Sequence, residues 1–297
     1  MSIRFEGVMP AITTPFAADL SVDHEALTQT VQWLAGHGCS GIVPCGSLGE
    51  GATLEFDEKV ALIETCARAV DIPVIPGIAA LSTHEAVKLA KAAAHHGAKG
   101  LMVLPPYVYS SDWREMKAHL AAVIQATPLP CIIYNNPVAY KTDFKPEQIL
   151  ELANEFDNVK AVKESSTDVR RITAIKALAG DRLALGVGVD DVLVEGVAAG
   201  AQFWIAGLVD ALPAESVRLF ELARAGRYEE AARLYAWFLP LLRLDTVPKF
   251  VQLIKLVQEK LGVCHHRVRG PRLALEGAEL AEAEAIIQHA LATRPAL

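Results

Sequence analysis

Short runs of apolar residues alternate along the chain with longer segments that carry apolar residues at every third or fourth position. Several runs are apolar at consecutive rather than alternate positions, which is typical of strands buried on both faces. The pattern predicts eight strands, at residues 7–13, 41–45, 73–78, 100–104, 130–134, 159–163, 182–186 and 202–205.

The segments between these runs have the periodicity of amphipathic helices. Leu27, Val31 and Leu34 repeat at spacings of four and three residues. The run Ser-Thr-His-Glu at residues 82–85 is a capping box that opens another helix. Further helices are predicted at residues 112–126, 146–156, 168–178, 190–199, 214–225, 228–242, 248–261 and 278–292.

Recurring strand–helix units of about thirty residues indicate a parallel sheet, and eight of them predict a closed (β/α)8 barrel. A doubly wound open sheet is the competing α/β fold, but it usually has a Gly-rich phosphate turn after the first strand. Residues 13–16 read Thr-Thr-Pro-Phe instead. More helices follow the eighth strand than one unit needs. We therefore predict a TIM barrel at residues 1–225 and a helical C-terminal extension at residues 226–297.

Composition argues against several kinds of partner. The chain has 28 basic and 35 acidic residues and a net charge of -7, whereas nucleic-acid binding needs a basic face. Residues 196–209 form the longest nearly apolar stretch, which is too short to span a bilayer, and residues 1–10 do not read as a signal peptide. The five scattered cysteines contain no CxxC pair and are typical of a reduced, cytoplasmic protein.

Cys264, His265 and His266 are adjacent and could suggest a metal site. Neighbouring histidines point apart on a helix or a strand, so they do not converge on one ion. The segment is interpreted as an exposed polar turn, and no metal site is predicted.

Three polar side chains fall where predicted strands end, which is where barrel enzymes carry their active groups. Ser47 follows the second strand, Tyr134 ends the fifth and Lys163 ends the sixth. An amine buried among aliphatic strands loses its proton more readily and can attack a carbonyl near neutral pH. A phenol beside it can transfer protons. Together the residues predict Schiff-base chemistry on a 2-keto acid.

Each of these residues also has a purely structural explanation. Lys163 could pair with Glu164 in solvent, and Tyr134 could close a layer of the barrel. Ser47 could sit in an ordinary tight turn, although the N–H groups of such a turn can also bind a carboxylate. Glu50 is expected to fix this turn or to face solvent.

Three motifs in this order resemble those of the dihydrodipicolinate synthase / N-acetylneuraminate lyase family of Schiff-base barrel enzymes. They are Gly-Ser-Leu-Gly-Glu at residues 46–50, Tyr-Asn-Asn-Pro at 134–137 and Val-Lys-Glu at 162–164. The resemblance covers almost the whole chain and implies a small-molecule substrate. It implies catalytic Lys163, Tyr134 and Ser47, and substrate-binding Gly46, Ser47, Leu48, Gly186 and Ile205.

The departures from the family pattern point away from the lysine-pathway synthases. Those enzymes carry a second hydroxyl where this chain has Leu48, and an arginine that binds a carboxylate in the stretch corresponding to residues 138–141. They also carry two neighbouring tyrosines, one of which enters the adjacent subunit. Here Val108 stands at the second position, so that tyrosine is absent or displaced to Tyr109. Tyr140 and Lys141 are candidates for contacting the distal part of the substrate.

The chain looks more like the branch that acts on 1-pyrroline-4-hydroxy-2-carboxylate, a 2-imino acid. This similarity implies a deaminase that forms 2-oxoglutarate semialdehyde and ammonia. It needs no metal or organic cofactor, because the protonated imine on Lys163 is the electron sink. Alternatives are an aldolase or dehydratase of 2-keto-3-deoxy sugar acids, a condensation with pyruvate like that of dihydrodipicolinate synthase, and a non-catalytic keto-acid sensor. The family resemblance also implies a homotetramer, a dimer of tight dimers.

Overall fold

Seven parallel strands form one curled sheet in the computed structural model, which describes residues 3–109 and 112–296. Their order in the sheet is β1-β7-β6-β5-β4-β3-β2, so the strands from β2 to β7 lie beside their neighbours in sequence and β1 pairs with β7. The strands are β1 Gly7–Pro10, β2 Gly77–Ile78, β3 Leu101–Val103, β4 Cys131–Asn135, β5 Val159–Glu164, β6 Ala184–Val187 and β7 Phe203–Ala206.

The sheet closes through the segment that was predicted as the second strand. Ile42 and Val43 make only isolated parallel bridges, one from Val43 to Ala11 and one from Ile42 to Val74. Backbone hydrogen bonds from Val43 N to Pro10 O (2.9 Å) and from Gly77 N to Pro44 O (2.8 Å) continue the ladder on either side. Pro10 and Pro44 lack an N–H donor, so the regular hydrogen-bonded ladder is shorter in this part of the sheet. The predicted (β/α)8 barrel is confirmed.

Helices follow the strands around the barrel, and several begin at a side-chain cap, of which the sequence indicated the one at Ser82. Asp23, Ser82 and Asp112 each accept a hydrogen bond from the backbone N–H three residues later. The helices are α1 His24–Gly36, α2 Phe56–Ala69, α3 Thr83–His95, α4 Trp113–Ile124, α5 Pro137–Tyr140, α6 Pro146–Glu155, α7 Arg170–Ala179, α8 Leu193–Ala198, α9 Pro213–Arg224, α10 Tyr228–Leu242, α11 Phe250–Lys260 and α12 Gly277–Ala292. None of these helices is both long enough and apolar enough to cross a membrane.

Two buried clusters divide the core. Met9, Ile75, Met102 and Phe203 belong to the cluster formed mainly by side chains inside the barrel. The larger cluster lies between the sheet and the helices and continues without a break into the C-terminal helices α10, α11 and α12. The helical extension, whose last residue lies outside the described part of the chain, therefore shares the core of the barrel.

A fully buried ion pair joins the C-terminal helices to the turn at residues 46–50. Lys255 Nζ on α11 donates to Glu50 Oε1 at 2.6 Å, and neither side chain is exposed to solvent. Lys255 Nζ also donates to Arg267 O at 2.6 Å, and Arg269 N donates to Glu50 Oε2 at 2.9 Å. Glu50 therefore fixes the turn, one of the two roles expected from the sequence, and does not face solvent. The ion pair also holds α11 against this turn.

Removing the cation of this pair leaves the Glu50 carboxylate buried without its nearest counter-charge. We expect Lys255→Ala to lower the free energy of unfolding by about 3–5 kcal/mol, the range found for breaking buried pairs. Urea unfolding followed by circular dichroism measures the change. The control is Lys249→Ala, which removes an exposed ion pair with Glu279 and should cost about 0–1 kcal/mol. Equal losses in the two variants would contradict the assigned role.

Candidate active site

The register between β4 and β5 brings Tyr134 and Lys163 side by side at the carboxyl end of the barrel. The two residues are direct partners in the parallel pairing, and Lys163 Nζ lies 4.3 Å from the centroid of the Tyr134 ring. Lys163 is only 6% exposed and Tyr134 only 5%. An amine and a phenol therefore share one enclosed site, as the strand ends predicted.

A cavity of about 500 Å³ opens above these two residues. Most residues proposed for the site from the sequence line it, and the wall also includes residues from the C-terminal extension. The predicted residues in the wall are Gly46, Ser47, Leu48, Tyr134, Tyr140, Lys163 and Ile205.

Gly186 lies deeper in the barrel than expected. A Cβ atom at this position would come within 2.1 Å of the Phe203 ring, so the glycine makes room for that ring in the core. Strand β6 runs to Val187, one residue beyond the predicted end. As a result, Gly188 and Val189 line the cavity at this strand end. Gly188 also makes room for the lysine, because a Cβ there would come within 2.6 Å of Lys163 Cε.

Burial controls the charge of the lysine. Loss of hydration lowers the pKa of Lys163 to about 8, although the nearby carboxyl groups of Asp245 and Asp190 partly oppose the shift. Near neutral pH most of Lys163 is still protonated, but the fraction present as free amine is far larger than for an ordinary lysine.

Glu164 does not pair with Lys163 in solvent, which removes the structural alternative for the lysine. Its buried carboxylate accepts hydrogen bonds from Asn135 Nδ2 at 3.0 Å and from Ser166 N at 2.7 Å. Arg171 Nε lies 3.4 Å from the same carboxylate. Glu164 thus holds the ends of β4 and β5 together from the side away from the amine.

Hydroxyl groups cluster on one wall of the cavity. Ser47 Oγ and Tyr140 Oη are hydrogen-bonded to each other. The Tyr140 ring lies edge-on to the Tyr134 ring with centroids 5.8 Å apart, and Tyr107 lies on its other side at 5.5 Å. Burial raises the pKa of all three phenols. Each therefore keeps its proton and can donate it to a neighbouring oxygen.

The turn that carries Ser47 is tightly packed against backbone. A Cβ at Gly49 would come within 2.7 Å of Ile12 O, and one at Gly51 within 2.3 Å of Cys45 O. The hydrogen bonds within the turn run from Glu50 N to Ser47 O and from Gly51 N to Gly46 O, so they do not use the N–H groups of Ser47 and Leu48. Such N–H groups form a binding site for a carboxylate.

Lys141, a candidate from the sequence for the distal part of the substrate, does not reach the cavity, and Tyr109, the candidate replacement for an intersubunit tyrosine, lies outside it. Lys141 has a left-handed backbone conformation with φ of 59°, and its Nζ donates to Val138 O at 3.0 Å. Tyr109 is 54% exposed and donates to Glu115 Oε2 at 2.7 Å. Tyr140, from the same loop as Lys141, is the residue that enters the cavity.

The sequence prediction missed the acidic residues near the amine. Asp245 lies in a one-turn 3₁₀ helix, Arg243–Asp245, between α10 and α11, and lines the cavity. Asp190 follows β6 and is completely buried, and burial raises its pKa to about 6. One sequence feature could have identified Asp245, because it is an acidic residue in the short polar break between two strongly apolar helices.

One further cation reaches the cavity. Arg272, from the loop before α12, lines the wall, and its Nη1 lies 3.7 Å from Glu50 Oε2. Glu50 is already paired with Lys255. Arg272 therefore adds positive charge at the end of the cavity formed by the C-terminal extension. Among the described residues no group of three or more His, Cys, Asp or Glu side chains could hold a metal ion.

Comparisons with known proteins agree with this architecture. The model of the dihydrodipicolinate synthetase family matches residues 4–290. The 4-hydroxy-tetrahydrodipicolinate synthase of Syntrophobacter fumaroxidans is 34% identical over 239 residues, which are 80% of this chain and 81% of that protein. That of Citrifermentans bemidjiense is 32% identical over 286 residues, or 96% and 98% of the two chains. Crystalline dihydrodipicolinate synthase from Aquifex aeolicus superposes with a TM-score of 0.91 at 29% identity, covering 97% of each chain.

The lowered pKa of Lys163 predicts an unusual pH dependence for its reactivity. Competitive reductive methylation with formaldehyde and cyanoborohydride, read by peptide mass spectrometry, measures each lysine separately. Below pH 8 the amine is mostly protonated and unreactive, so its labelling should rise to half-maximum near pH 8. Ordinary lysines have a pKa of about 10.4 and serve as the internal reference. A Lys163 curve that coincides with theirs would contradict the assigned environment.

Proposed function

We propose that this chain, which belongs to the dihydrodipicolinate synthetase family of Schiff-base lyases, deaminates 1-pyrroline-4-hydroxy-2-carboxylate. The products are 2-oxoglutarate semialdehyde and ammonia. The observation that carries the proposal is the buried amine of Lys163 beside the Tyr134 phenol in a cavity of about 500 Å³. Such a pair is suited to forming an imine with a small 2-keto or 2-imino acid.

The carboxylate of the substrate binds in the turn at residues 46–49, where the N–H groups of Ser47 and Leu48 are available. The free amine of Lys163 adds to the imine carbon C2, and the bond from C2 to the ring nitrogen breaks. The ring nitrogen leaves as a primary amine on C5, and an iminium joins C2 to Lys163. This cation draws electrons from C3, so a proton is lost there and the C4 hydroxyl can leave as water. Rearrangement and hydrolysis then release ammonia and the semialdehyde.

Proton transfer in these steps falls to the hydroxyl groups on the cavity wall. Tyr134 is next to the amine, and its oxygen accepts a hydrogen bond from Asn136 Nδ2 at 3.0 Å. Tyr140 stands between Tyr134 and Ser47 and is bonded to the serine hydroxyl. Ser47, Tyr140 and Tyr134 therefore form a relay built from a single chain, with no tyrosine needed from a partner subunit.

The loop after β4 supports a substrate with one carboxylate. In the lysine-pathway synthases that this chain resembles, the corresponding loop carries an arginine that binds a second carboxylate. Here it presents Val138, Ala139 and Tyr140 to the cavity, while Lys141 is turned back onto the loop. An uncharged wall suits the hydroxylated ring carbons of the pyrroline better than a second anionic group.

A second candidate function is condensation or aldol cleavage on a substrate with a second anionic group. Arg272 favours it, because this guanidinium enters the cavity from the C-terminal extension. The two bacterial relatives are named 4-hydroxy-tetrahydrodipicolinate synthase, which agrees with the condensation. A 2-keto-3-deoxy sugar acid would use the same lysine in an aldolase or dehydratase reaction. A keto-acid sensor would bind without turnover.

The assembly proposed for the enzyme is a homotetramer, a dimer of dimers. Leu81, Val108 and Tyr109 are exposed on loops that follow neighbouring strands, with Val108 at 99% exposure. Such an apolar surface is suited to contact with a second copy.

Borohydride trapping tests the proposal directly. Incubation with the pyrroline and borohydride should leave a reduced adduct on the peptide that contains Lys163, and omission of borohydride should release ammonia. Lys163→Ala should form no adduct and no ammonia. An adduct from pyruvate alone would favour an aldolase or dehydratase, and no adduct from either compound would contradict the Schiff-base assignment.

Loss of one hydroxyl from the relay should slow turnover while leaving the fold intact. We expect Tyr140→Phe to lower kcat by about 100-fold, the lower end of the range for general acid–base groups. Steady-state ammonia release measures the effect. Tyr109→Phe is the matched control, because that phenol is outside the cavity, and it should retain the wild-type rate. A loss confined to Tyr109→Phe would contradict a relay within one chain.

A further inference from the structure

We propose that Asp245 is a catalytic acid that protonates the C4 hydroxyl as it leaves, a role that rests on the function proposed above. The residue comes from the C-terminal extension rather than from a barrel strand. It lines the same cavity as Lys163.

The carboxyl group of Asp245 is held close to the backbone of β7 and its following loop. A Cβ at Gly207 would come within 2.1 Å of Asp245 Oδ1, so only glycine leaves space for the acid here. Asp245 Oδ1 is buried and has no hydrogen-bond partner among the described residues. A buried carboxyl oxygen without a hydrogen-bond partner is costly when the group is charged, so these surroundings favour the protonated form of the acid.

The carboxyl group of the neighbouring Asp190, by contrast, is surrounded by hydrogen-bond donors. Its carboxylate accepts hydrogen bonds from Trp204 Nε1 at 3.1 Å, from Leu208 N at 2.9 Å and from Gly207 N at 3.2 Å. These N–H donors stabilise the ionised form. When two interacting acids differ in this way, the proton stays on the one without donors. Asp245 is therefore the member of the pair that takes up a proton, because burial and the charge of Asp190 raise its pKa well above the usual value. The positive charge of Lys163 opposes this shift in the free enzyme, and the opposition is lost once the lysine nitrogen is part of a neutral enamine.

Other groups in the site are poorly placed or too weak to donate this proton. The nitrogen of Lys163 is bonded to C2 when the hydroxyl leaves, so it is committed to the imine. The phenols of Tyr134 and Tyr140 have raised pKa values and are weaker acids than a carboxylic acid. Asp245 is the carboxyl group that lines the cavity among the described residues.

The elimination balances with this assignment. The enamine nitrogen on Lys163 supplies its electron pair to form C2=N, the C2–C3 double bond shifts to C3–C4, and the C4–O bond breaks. The leaving oxygen takes the proton from Asp245 and departs as water. Asp245 becomes a carboxylate and regains a proton before the next turnover.

Asp245→Asn keeps the shape of the side chain and removes the acidic proton. We expect ammonia release from the pyrroline to fall by about 10²–10⁴-fold, while borohydride still traps an adduct on Lys163, now retaining the C4 oxygen. Asp168→Asn is the control. It removes an exposed carboxylate paired with Arg170 at the same rim, and it should keep the wild-type rate.

The pH profile separates catalysis from positioning. Asp190, Lys163, Asp210 and Asp191 are the ionisable groups that act on Asp245. Wild-type ammonia release should fall as the pH rises through the pKa of Asp245, because the acid is then lost. The residual activity of Asp245→Asn should lack this fall.

The outcomes distinguish the acid from the function on which it rests. If wild-type enzyme forms no ammonia from the pyrroline, the proposed function fails and the role of Asp245 fails with it. If wild-type enzyme turns over and Asp245→Asn keeps its rate, the acid assignment alone is overturned. It is also overturned if Asp245→Asn forms no adduct on Lys163, since Asp245 would then act before the elimination.

Discussion

Burial of the Lys163 amine at the end of a barrel strand is the constraint on which the site depends. An ammonium in this position loses its hydration, and the 4.3 Å contact with the Tyr134 ring replaces only part of it. The protein compensates with carboxyl groups placed near the amine rather than bound tightly to it. The resulting balance leaves the pKa near 8, where an amine can be both a nucleophile and, once bonded to substrate, a cationic electron sink.

The C-terminal extension completes this environment from outside the barrel. The Glu50–Lys255 pair, with no exposed surface on either side chain, fixes α11 against the turn that carries Ser47. The segment just before α11 then closes over the cavity and contributes Asp245, while the loop before α12 contributes Arg272. In the proposed reaction the barrel supplies the nucleophile and the relay, and the extension supplies charged groups at the cavity wall. A change in the extension could therefore alter the reaction without altering the barrel.

The sequence predicted the features that depend on local pattern and strand order. Tyr134 and Lys163 could be placed together because the ends of adjacent parallel strands meet at one rim. The contact of Ser47 with Tyr140 spans 93 residues and depends on how the short helix α5 folds over the cavity. The approach of Asp245 to Gly207 likewise depends on tertiary packing. Gly186 was misplaced relative to the cavity because β6 ends at Val187, one residue later than its apolar run indicated.

The most direct test of the account compares turnover on three substrates: the hydroxypyrroline carboxylate, a 2-keto-3-deoxy sugar acid, and pyruvate with an aldehyde acceptor. The proposed deamination predicts ammonia release from the pyrroline with kcat/KM of about 10⁴ M⁻¹s⁻¹ or more, as is usual for an enzyme on its own substrate. It also predicts values at least about 100-fold lower for the other two, a ratio of roughly 3 kcal/mol in transition-state binding. A higher kcat/KM for pyruvate release or for condensation would contradict it.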